Sequence, residues 1–174
     1  AKSGRPGPVW LDIPLDIQSS EIMPELLKGF NPPPKVAPPT LGAQIQEVAD
    51  LLQASKRPII VAGNGIRLSG ASDAFLTLLG ALKIPVVTAI NGNDIVTEDY
   101  PFYVGRFGIM GQRCGNLAIQ NSDLVLSIGS RLMLRQIGFN YDFFAREAKK
   151  IIVDADEAEI GKKTLKPDVP IACD

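Results

Sequence analysis

Short runs of consecutive apolar residues recur along the chain from residue 59 onward, each bounded by glycine, proline or polar residues. Runs of this length are typical of strands that are buried on both faces of a sheet. The pattern predicts five strands, at residues 59–62, 86–90, 124–128, 150–154 and 169–173. A further apolar run at 9–13, punctuated by prolines, predicts a short strand near the start of the chain.

Stretches with apolar residues at helical spacing separate the predicted strands. We expect an amphipathic helix that begins after Thr40 as its N-cap and closes at Lys56 and Arg57, and another over 71–82 that Ser69 or Ser72 caps. Further helical segments are predicted at 112–120, 142–149 and 157–162. Residues 91–111 and 132–141 show neither a strand-like apolar run nor helical spacing of apolar residues. We therefore expect a long glycine-bearing loop at 91–111 and an irregular segment at 132–141.

The order of these elements predicts an α/β protein. A strand, a helix and a strand in succession imply parallel strands that are joined by a right-handed crossover. We therefore expect a Rossmann-like, doubly wound parallel sheet of about five to six strands, with helices on both faces. In such sheets ligands bind beyond the carboxyl ends of the strands.

Small or polar residues collect at four of the predicted strand ends, which makes a binding site the favoured interpretation. Arg131 can hold a phosphate through two hydrogen bonds, and Asp154 or Asp156 can accept hydrogen bonds from sugar hydroxyls. The alternative is that Arg131 and these acids pair with each other or with water at the rim. The residues at the four ends are Gly63, Asn64, Gly65, Thr88, Ala89, Ile90, Gly129, Ser130, Arg131, Asp154, Ala155 and Asp156.

The glycine turn after residue 62 does not match the NAD fingerprint. Its spacing is Gly63-x-Gly65-x-x-x-x-Gly70, whereas the dinucleotide pattern is G-x-G-x-x-G. The next predicted strand also ends without the acid that would bind a ribose hydroxyl, since the first acid after it is Asp94. An ordinary NAD site is therefore disfavoured, while a phosphate site and a plain tight turn remain equally supported.

The composition excludes several classes of function. The formal net charge of −1 over 174 residues leaves no basic stripe for a nucleic acid, and no apolar run reaches membrane-spanning length. The chain has no histidine, which removes histidine-based catalytic triads and metal sites. Cys114 and Cys173 form neither a C-x-x-C pair nor a disulfide framework, so we expect reduced thiols in a cytoplasmic protein.

Four blocks of sequence, taken together, resemble a known family. They are residues 7–18, residues 57–65 (Arg-Pro-Ile-Ile-Val-Ala-Gly-Asn-Gly), residues 105–111 with 122–131, and residues 150–162. As a set they resemble the central domain of thiamine-diphosphate-dependent enzymes, and most closely the acetolactate synthase group. The chain opens at Ala1 rather than at methionine, so we expect an excised domain or part of a longer protein.

The resemblance implies a parent enzyme of three domains. Residues 1–20 would end the pyrimidine-binding domain, residues 21–40 would be a proline-rich linker, and residues 41–174 would be the central domain. Thiamine diphosphate and Mg²⁺ would lie between the first and third domains of paired subunits. This chain would then carry no catalytic residue and no metal ligand, and alone it would be inactive. Its partners would be the remaining domains and the other subunits of a homo-oligomer.

The resemblance also implies that the central domain binds FAD or ADP. It adds Phe107, Gly108, Ile109 and Met110 to the strand-end residues given above. The chain differs from the acetolactate synthase pattern at Asn64, at Met110 and over 131–134, where that pattern has a glycine, commonly a histidine, and Arg-Phe-Asp-Asp. Relatives use this pocket for ADP or leave it empty.

Two functions therefore stay open at this point. The first is the central domain of an acetolactate-synthase-like enzyme, which decarboxylates a 2-oxo acid and transfers the acyl carbanion. The second is a structural, subunit-packing domain with an empty pocket, in another thiamine-diphosphate decarboxylase or carboligase.

Overall fold

A computed structural model of the chain describes residues 1, 7–31, 34 and 36–174, which form two compact units, 1–36 and 37–174. Pro32, Pro33 and Lys35 of the predicted linker lie outside the described residues. In the first unit, helix α1 spans Leu15–Gln18 and a 3-10 turn spans Pro24–Leu26.

Residues 9–13 of the first unit have no regular secondary structure, so the strand predicted there is wrong. A strand needs a neighbouring strand to pair its backbone groups, and the described residues of this unit contain no strand. The apolar side chains of the segment, including that of Trp10, are exposed.

The second unit contains all five strands that the sequence predicts from residue 59 onward, together with one further strand, Tyr103–Arg106, and two further short helices, Gly65–Leu68 and Leu134–Ile137. The helices are α2 (Leu41–Ala54), α3 (Gly65–Leu68), α4 (Ser72–Leu82), α5 (Arg113–Gln120), α6 (Leu134–Ile137) and α7 (Glu157–Ile160). The strands are β1 (Pro58–Ala62), β2 (Val86–Thr88), β3 (Tyr103–Arg106), β4 (Leu124–Ile128), β5 (Lys149–Asp154) and β6 (Val169–Ala172). Short 3-10 turns span Ile90–Gly92 and Tyr141–Phe143.

The strands form one six-stranded sheet in the order β3-β2-β1-β4-β5-β6, and every pair is parallel. In the central register, Ile60 lies opposite Val86 on one side and Leu126 on the other. This is the strand order of a doubly wound nucleotide-binding sheet, in which the direction of winding reverses between β1 and β4. The predicted fold class is confirmed.

Alternate residues of the central strands enter two separate hydrophobic cores. Ile60 and Leu126 face Phe75 and Leu79 of α4, together with one side of α2. Val61 and its neighbours on the opposite face pack against α5 and the segment around Phe144. Burying each of these side chains stabilises the fold by about 1.5–3 kcal/mol, so both faces need their covering helices. Within the described part of the chain, no helix is both long and apolar enough to cross a membrane.

Strand β3 lies inside the stretch that the sequence predicts as a long loop, so that prediction is wrong for residues 103–106. The strand is short, lies at the edge of the sheet and contains Gly105 at a φ of +104°. Its pairing with β2 also shifts register between Val86 and Val87. Such an edge strand shows neither an apolar run nor a regular alternation, which explains why the pattern does not reveal it.

The helix predicted at 142–149 is also wrong. Residues 141–143 form a 3-10 turn, Ala145 has a φ of +43°, and Lys149 already pairs with Leu124 as the first residue of β5. Phe144, Ala145 and Ala148 are buried in the core under the sheet. The burial of these residues and the start of the strand override the local helical preference. The segment predicted as irregular, 132–141, instead contains α6.

The helix caps differ from the predicted ones. Thr40 occupies the N-cap position of α2, but its side chain makes no capping bond and its hydroxyl lies 3.3 Å from Gln44 Oε1. Helix α4 begins at Ser72, and the N-cap residue is Ala71 rather than Ser69 or Ser72. The Ser69 hydroxyl donates instead to the carbonyl of Ile66, at the end of the additional helix α3.

Candidate functional site

The glycines that follow β1 and β4 lie in direct backbone contact at the point where the winding of the sheet reverses. Gly63 N–H donates to the carbonyl of Ile128, and Gly65 N–H donates to the carbonyl of Gly129, each at 2.9 Å. A Cβ atom on Gly63 would lie 2.2 Å from Gly129 O, which is far inside contact distance. The tight-turn interpretation therefore accounts for Gly63 and Gly65 through close backbone packing.

Gly129 completes this contact. It adopts a φ of +59°, and its N–H donates to the carbonyl of Val153 on β5 at 2.9 Å. The N–H groups of Gly63, Gly65 and Gly129 are thus all bonded to carbonyl groups of the protein. They are not disposed to form an N–H cradle for a phosphate in this arrangement.

Asn64, between the two β1 glycines, is bound to side chains of its own region. Its Oδ1 accepts a hydrogen bond from Arg67 Nη1 at 3.1 Å, and Arg67 in turn forms an ion pair with Asp94. Asn64 is partly buried, whereas Arg67 and Asp94 are exposed. This network connects the β1 turn to the loop after β2 and fixes the direction of the Asn64 carboxamide.

The end of β2 contributes mainly backbone atoms to the candidate site, together with one exposed side chain. Thr88 is fully buried, and its hydroxyl lies 3.0 Å from the Tyr103 hydroxyl. Ala89 is buried, while Ile90 is exposed at the rim. Of the three residues predicted here, only Ile90 therefore offers its side chain to a ligand.

The turn after β3 is held rigidly against α5 and α6. Gly108 has a φ of +93°; its N–H donates to Asn116 Oδ1 at 2.8 Å, and its carbonyl accepts from Asn116 Nδ2 at 3.1 Å. Ile109 N–H donates to the carbonyl of Arg135 at 2.8 Å. Phe107 is buried against Phe144. Held in this way, the turn presents the side chains of residues 109 and 110 to solvent, 74% and 66% exposed.

We expect the substitution Asn116→Asp to loosen this turn. The carboxylate keeps an acceptor for Gly108 N–H but loses the Nδ2 donor and lies beside the carbonyl of Gly108. The expected cost is about 1–2 kcal/mol of folding free energy, with faster amide-proton exchange at Gly108. Urea unfolding and proton exchange measure the two effects, and Asn140→Asp, at an exposed position, serves as the control. An unchanged rate of amide-proton exchange at Gly108 would show that the two hydrogen bonds with Asn116 do not hold the turn in place.

A groove of about 440 Å³ adjoins this turn. It lies between the turn after β3, helix α5 and the segment that contains α6. Most of its wall is apolar, with Asn116, Gln120, Arg135 and Gln136 as polar members. The residues that line it are Phe107, Gly108, Ile109, Asn116, Ile119, Gln120, Leu134, Arg135, Gln136, Ile137, Gly138, Phe139 and Phe144.

The ends of β4 and β5 carry the charged groups of the predicted site. Arg131 is about half exposed and forms an ion pair with Glu159, the third residue of α7. Lys162 Nζ approaches the same carboxylate at 3.4 Å and donates to the carbonyls of Arg131 and Leu132. Ser130 is buried, and its hydroxyl lies 3.4 Å from Gln136 Nε2.

The two predicted acids have structural partners. Asp154 Oδ1 accepts from the N–H of Asp156 at 3.0 Å, and Asp156 Oδ1 accepts from the N–H of Ala158 at 2.9 Å as the N-cap of α7. Ala155, between them, is exposed. These bonds explain why acids stand at this turn, and they leave Asp154 largely buried. Within the described ranges, no three acidic or cysteine side chains converge as candidate metal ligands.

The structure brings all four predicted strand ends to one edge of the sheet, but the side chains there differ in access. The exposed ones are Ile90, Ile109, Met110, Arg131 and Ala155, whereas Thr88, Phe107, Ser130 and Asp154 are buried. Sequence reasoning missed Asn116, Glu159 and Lys162. Glu159 and Lys162 stand at i and i+3 spacing in a segment that the sequence predicts as helical, which was the available signal. No local signal points to Asn116.

Comparison with known proteins places this architecture in a family. The family model for the thiamine pyrophosphate enzyme, central domain, matches residues 45–174. A probable acetolactate synthase large subunit from Methanocaldococcus jannaschii is 40% identical over 100% of this chain and 30% of its own length. Acetolactate synthase isozyme 2 large subunit from Escherichia coli is 35% identical over 93% of this chain. The large subunit from Lactococcus lactis is 33% identical over 100% of this chain.

The chain spans about 30% of the length of these curated relatives. The family match covers β1 to β6, and therefore the sheet and every strand end described above. The chain belongs to the thiamine pyrophosphate enzyme family, and its residues 45–174 are the family's central domain.

Proposed function

We propose that this chain is the central domain of an acetolactate-synthase-like enzyme and that it binds the nucleotide portion of FAD or ADP at the carboxyl edge of its sheet. The observation that carries the binding proposal is the groove beside the turn after β3. One wall of the groove, the segment that contains α6, begins three residues beyond Arg131. An apolar wall of the groove and a cation thus lie on one short segment, and ligand sites combine apolar walls with a few charged or polar groups.

The residues present fit such a ligand in part. Arg131 would bind phosphate oxygens through its guanidinium group, and the exposed turn at residues 108–110 would contact the planar part of the ligand. The glycine turn after β1 would support these groups rather than bind phosphate, since the N–H groups of Gly63 and Gly65 are bonded to carbonyls of the protein.

The chemistry of the parent enzyme lies outside this domain in the proposal. The parent decarboxylates a 2-oxo acid and transfers the acyl carbanion, and it works as a cytoplasmic homo-oligomer. Its other domains would bind Mg²⁺ and thiamine diphosphate, and the thiamine diphosphate would supply the stabilisation of the carbanion. The contribution of the central domain is to hold the nucleotide and to separate the two catalytic domains. Alone, the chain would have no decarboxylase or carboligase activity.

Calorimetric titration of the 174-residue chain with ADP and with FAD tests the binding proposal. We expect saturable binding of at least one of them, and about tenfold weaker binding by Arg131→Gln because a charge-assisted contact is lost. Arg146→Gln is the matched control, since Arg146 is exposed and pairs with its neighbour Glu147. An absence of binding by the wild type up to about 1 mM, where the binding free energy is only about −4 kcal/mol, would refute the proposal.

A purely structural domain is the second candidate, and one observation favours it. The predicted residues Thr88, Phe107 and Ser130 are buried, and the three glycine N–H groups already have partners inside the protein. In this alternative the carboxyl edge packs against another part of the parent and takes no nucleotide. The same titration separates the two candidates.

A further inference from the structure

Two cations share one carboxylate at the ends of β4 and β5. Arg131 Nε contacts Glu159 Oε1, and Lys162 Nζ approaches Glu159 Oε2 at 3.4 Å. The side chain of Glu159 is only 14% exposed, whereas that of Arg131 is 52% exposed. The carboxylate is therefore held in place by the fold, while the guanidinium group stands at the surface with room to move.

We infer that Glu159 is a counter-ion latch for Arg131, which a ligand phosphate displaces when a nucleotide binds. This inference rests on the proposed nucleotide-binding function. In the unliganded chain Glu159 neutralises Arg131 and competes with anions for it. A phosphate group offers the guanidinium a second anionic partner, so binding exchanges one ion pair for another.

Lys162 makes this exchange feasible. When Arg131 turns to the ligand, Glu159 keeps the ammonium group of Lys162 as a partner, so no buried carboxylate is left without a counter-ion. Lys162 also donates to the carbonyls of Arg131 and Leu132. Leu132 is buried and has a φ of +45°, so the backbone of this loop is anchored independently of the Arg131 side chain. The guanidinium group can therefore change partner while the loop stays in place.

The test is a set of ADP titrations on the 174-residue chain and its variants. Glu159→Gln should bind ADP about three- to fivefold more tightly than the wild type, because the competing ion pair is removed. Glu157→Gln is the matched control: it removes the same charge from an exposed position of α7, and we expect its affinity to stay within about 1.5-fold of the wild type. Circular dichroism checks that each variant is folded.

A double-mutant cycle with Arg131→Gln then isolates the latch. Arg131→Gln and the double variant with Glu159→Gln should bind ADP equally, since the carboxylate no longer has its guanidinium partner. If Glu159→Gln still raises the affinity for ADP in the Arg131→Gln background, the latch inference is wrong and the effect is one of general charge. Wild-type binding without a gain in Glu159→Gln would overturn the latch but leave the proposed function intact. No binding by any variant would overturn both.

Discussion

Replacing Gly63 with alanine should destabilise the domain by about 3 kcal/mol. The new methyl group would lie 2.2 Å from the carbonyl oxygen of Gly129 and 2.4 Å from the Cα atom of Ser130. Both are backbone atoms, so no side chain can rotate away and the turns after β1 and β4 would have to separate. That separation would strain the hydrogen bonds from Gly63 to Ile128 and from Gly65 to Gly129. Urea unfolding followed by circular dichroism measures the loss.

Gly80→Ala is the matched control for this substitution. Gly80 lies within α4, and a Cβ atom placed on it meets nothing within 4 Å. Alanine at an open helical position should stabilise the chain by about 0.5–1 kcal/mol, since it restricts the unfolded chain and favours the helix. A Gly63→Ala variant with the unfolding midpoint of the wild type would show that the two turns can move apart freely.

Substitution of Asp123 should produce the second large loss of stability, about 1–2 kcal/mol for Asp123→Asn at neutral pH. The Asp123 carboxylate joins the end of α2 to the start of β4. It accepts hydrogen bonds from the Ser55 hydroxyl, from Lys56 N–H and from Arg57 N–H, the last two at 2.9 Å each. Asparagine would turn an NH₂ group toward at least one of these donors. Asp142→Asn, at an exposed position, is the control.

The same carboxylate should make stability depend on acid pH. Burial raises the pKa of Asp123, but the hydrogen bonds from Ser55, Lys56 and Arg57, together with the charge of Arg57, outweigh burial and lower the pKa to about 2. The unfolded-state value is about 3.9, so the stabilisation is fully present above that pH. It is lost as the pH falls through the folded-state pKa, that is, between about pH 4 and pH 2.

Unfolding free energies of the wild type and of Asp123→Asn, measured from pH 6 down to pH 2, check this linkage. The difference between the two proteins should be constant above about pH 5 and shrink toward pH 2, because the wild-type carboxylate becomes protonated there. A difference that does not change with pH would mean that the carboxylate charge contributes nothing and that only the shape of the side chain matters.

Much of the fold follows from local sequence. Each buried parallel strand must be apolar on both faces, so the runs at 59–62, 124–128 and 150–154 identify β1, β4 and β5 without knowledge of their neighbours. The alternation of these runs with helical segments then implies the doubly wound sheet. Edge strand β3 could not be identified in this way, because it contains a glycine and is less completely buried than the central strands.

The candidate site was predictable in position but not in detail. The topology alone brings the carboxyl ends of parallel strands to one edge, so Gly63–Gly65 and Gly129–Arg131 are neighbours in both the prediction and the structure. Several of the hydrogen-bond and ion-pair partners of the side chains at this edge, in contrast, come from segments that are far apart in sequence. Arg131 meets Glu159 across 28 positions, and no periodicity in the sequence records such a contact.

The sequence by itself determined the parallel sheet, because buried strands are recognisable as apolar runs within single elements. It also carried the family resemblance, in four blocks of matching residues. The parallel order brings the strand ends to one edge, which is where we propose that a nucleotide binds. The tertiary structure decided how the residues at that edge are used. It packs Gly63, Gly65 and Gly129 backbone to backbone, buries Thr88 and Phe107, and pairs Arg131 with Glu159. These contacts join segments distant in sequence, and their energies depend on which atoms the folded chain brings within a few ångströms of each other.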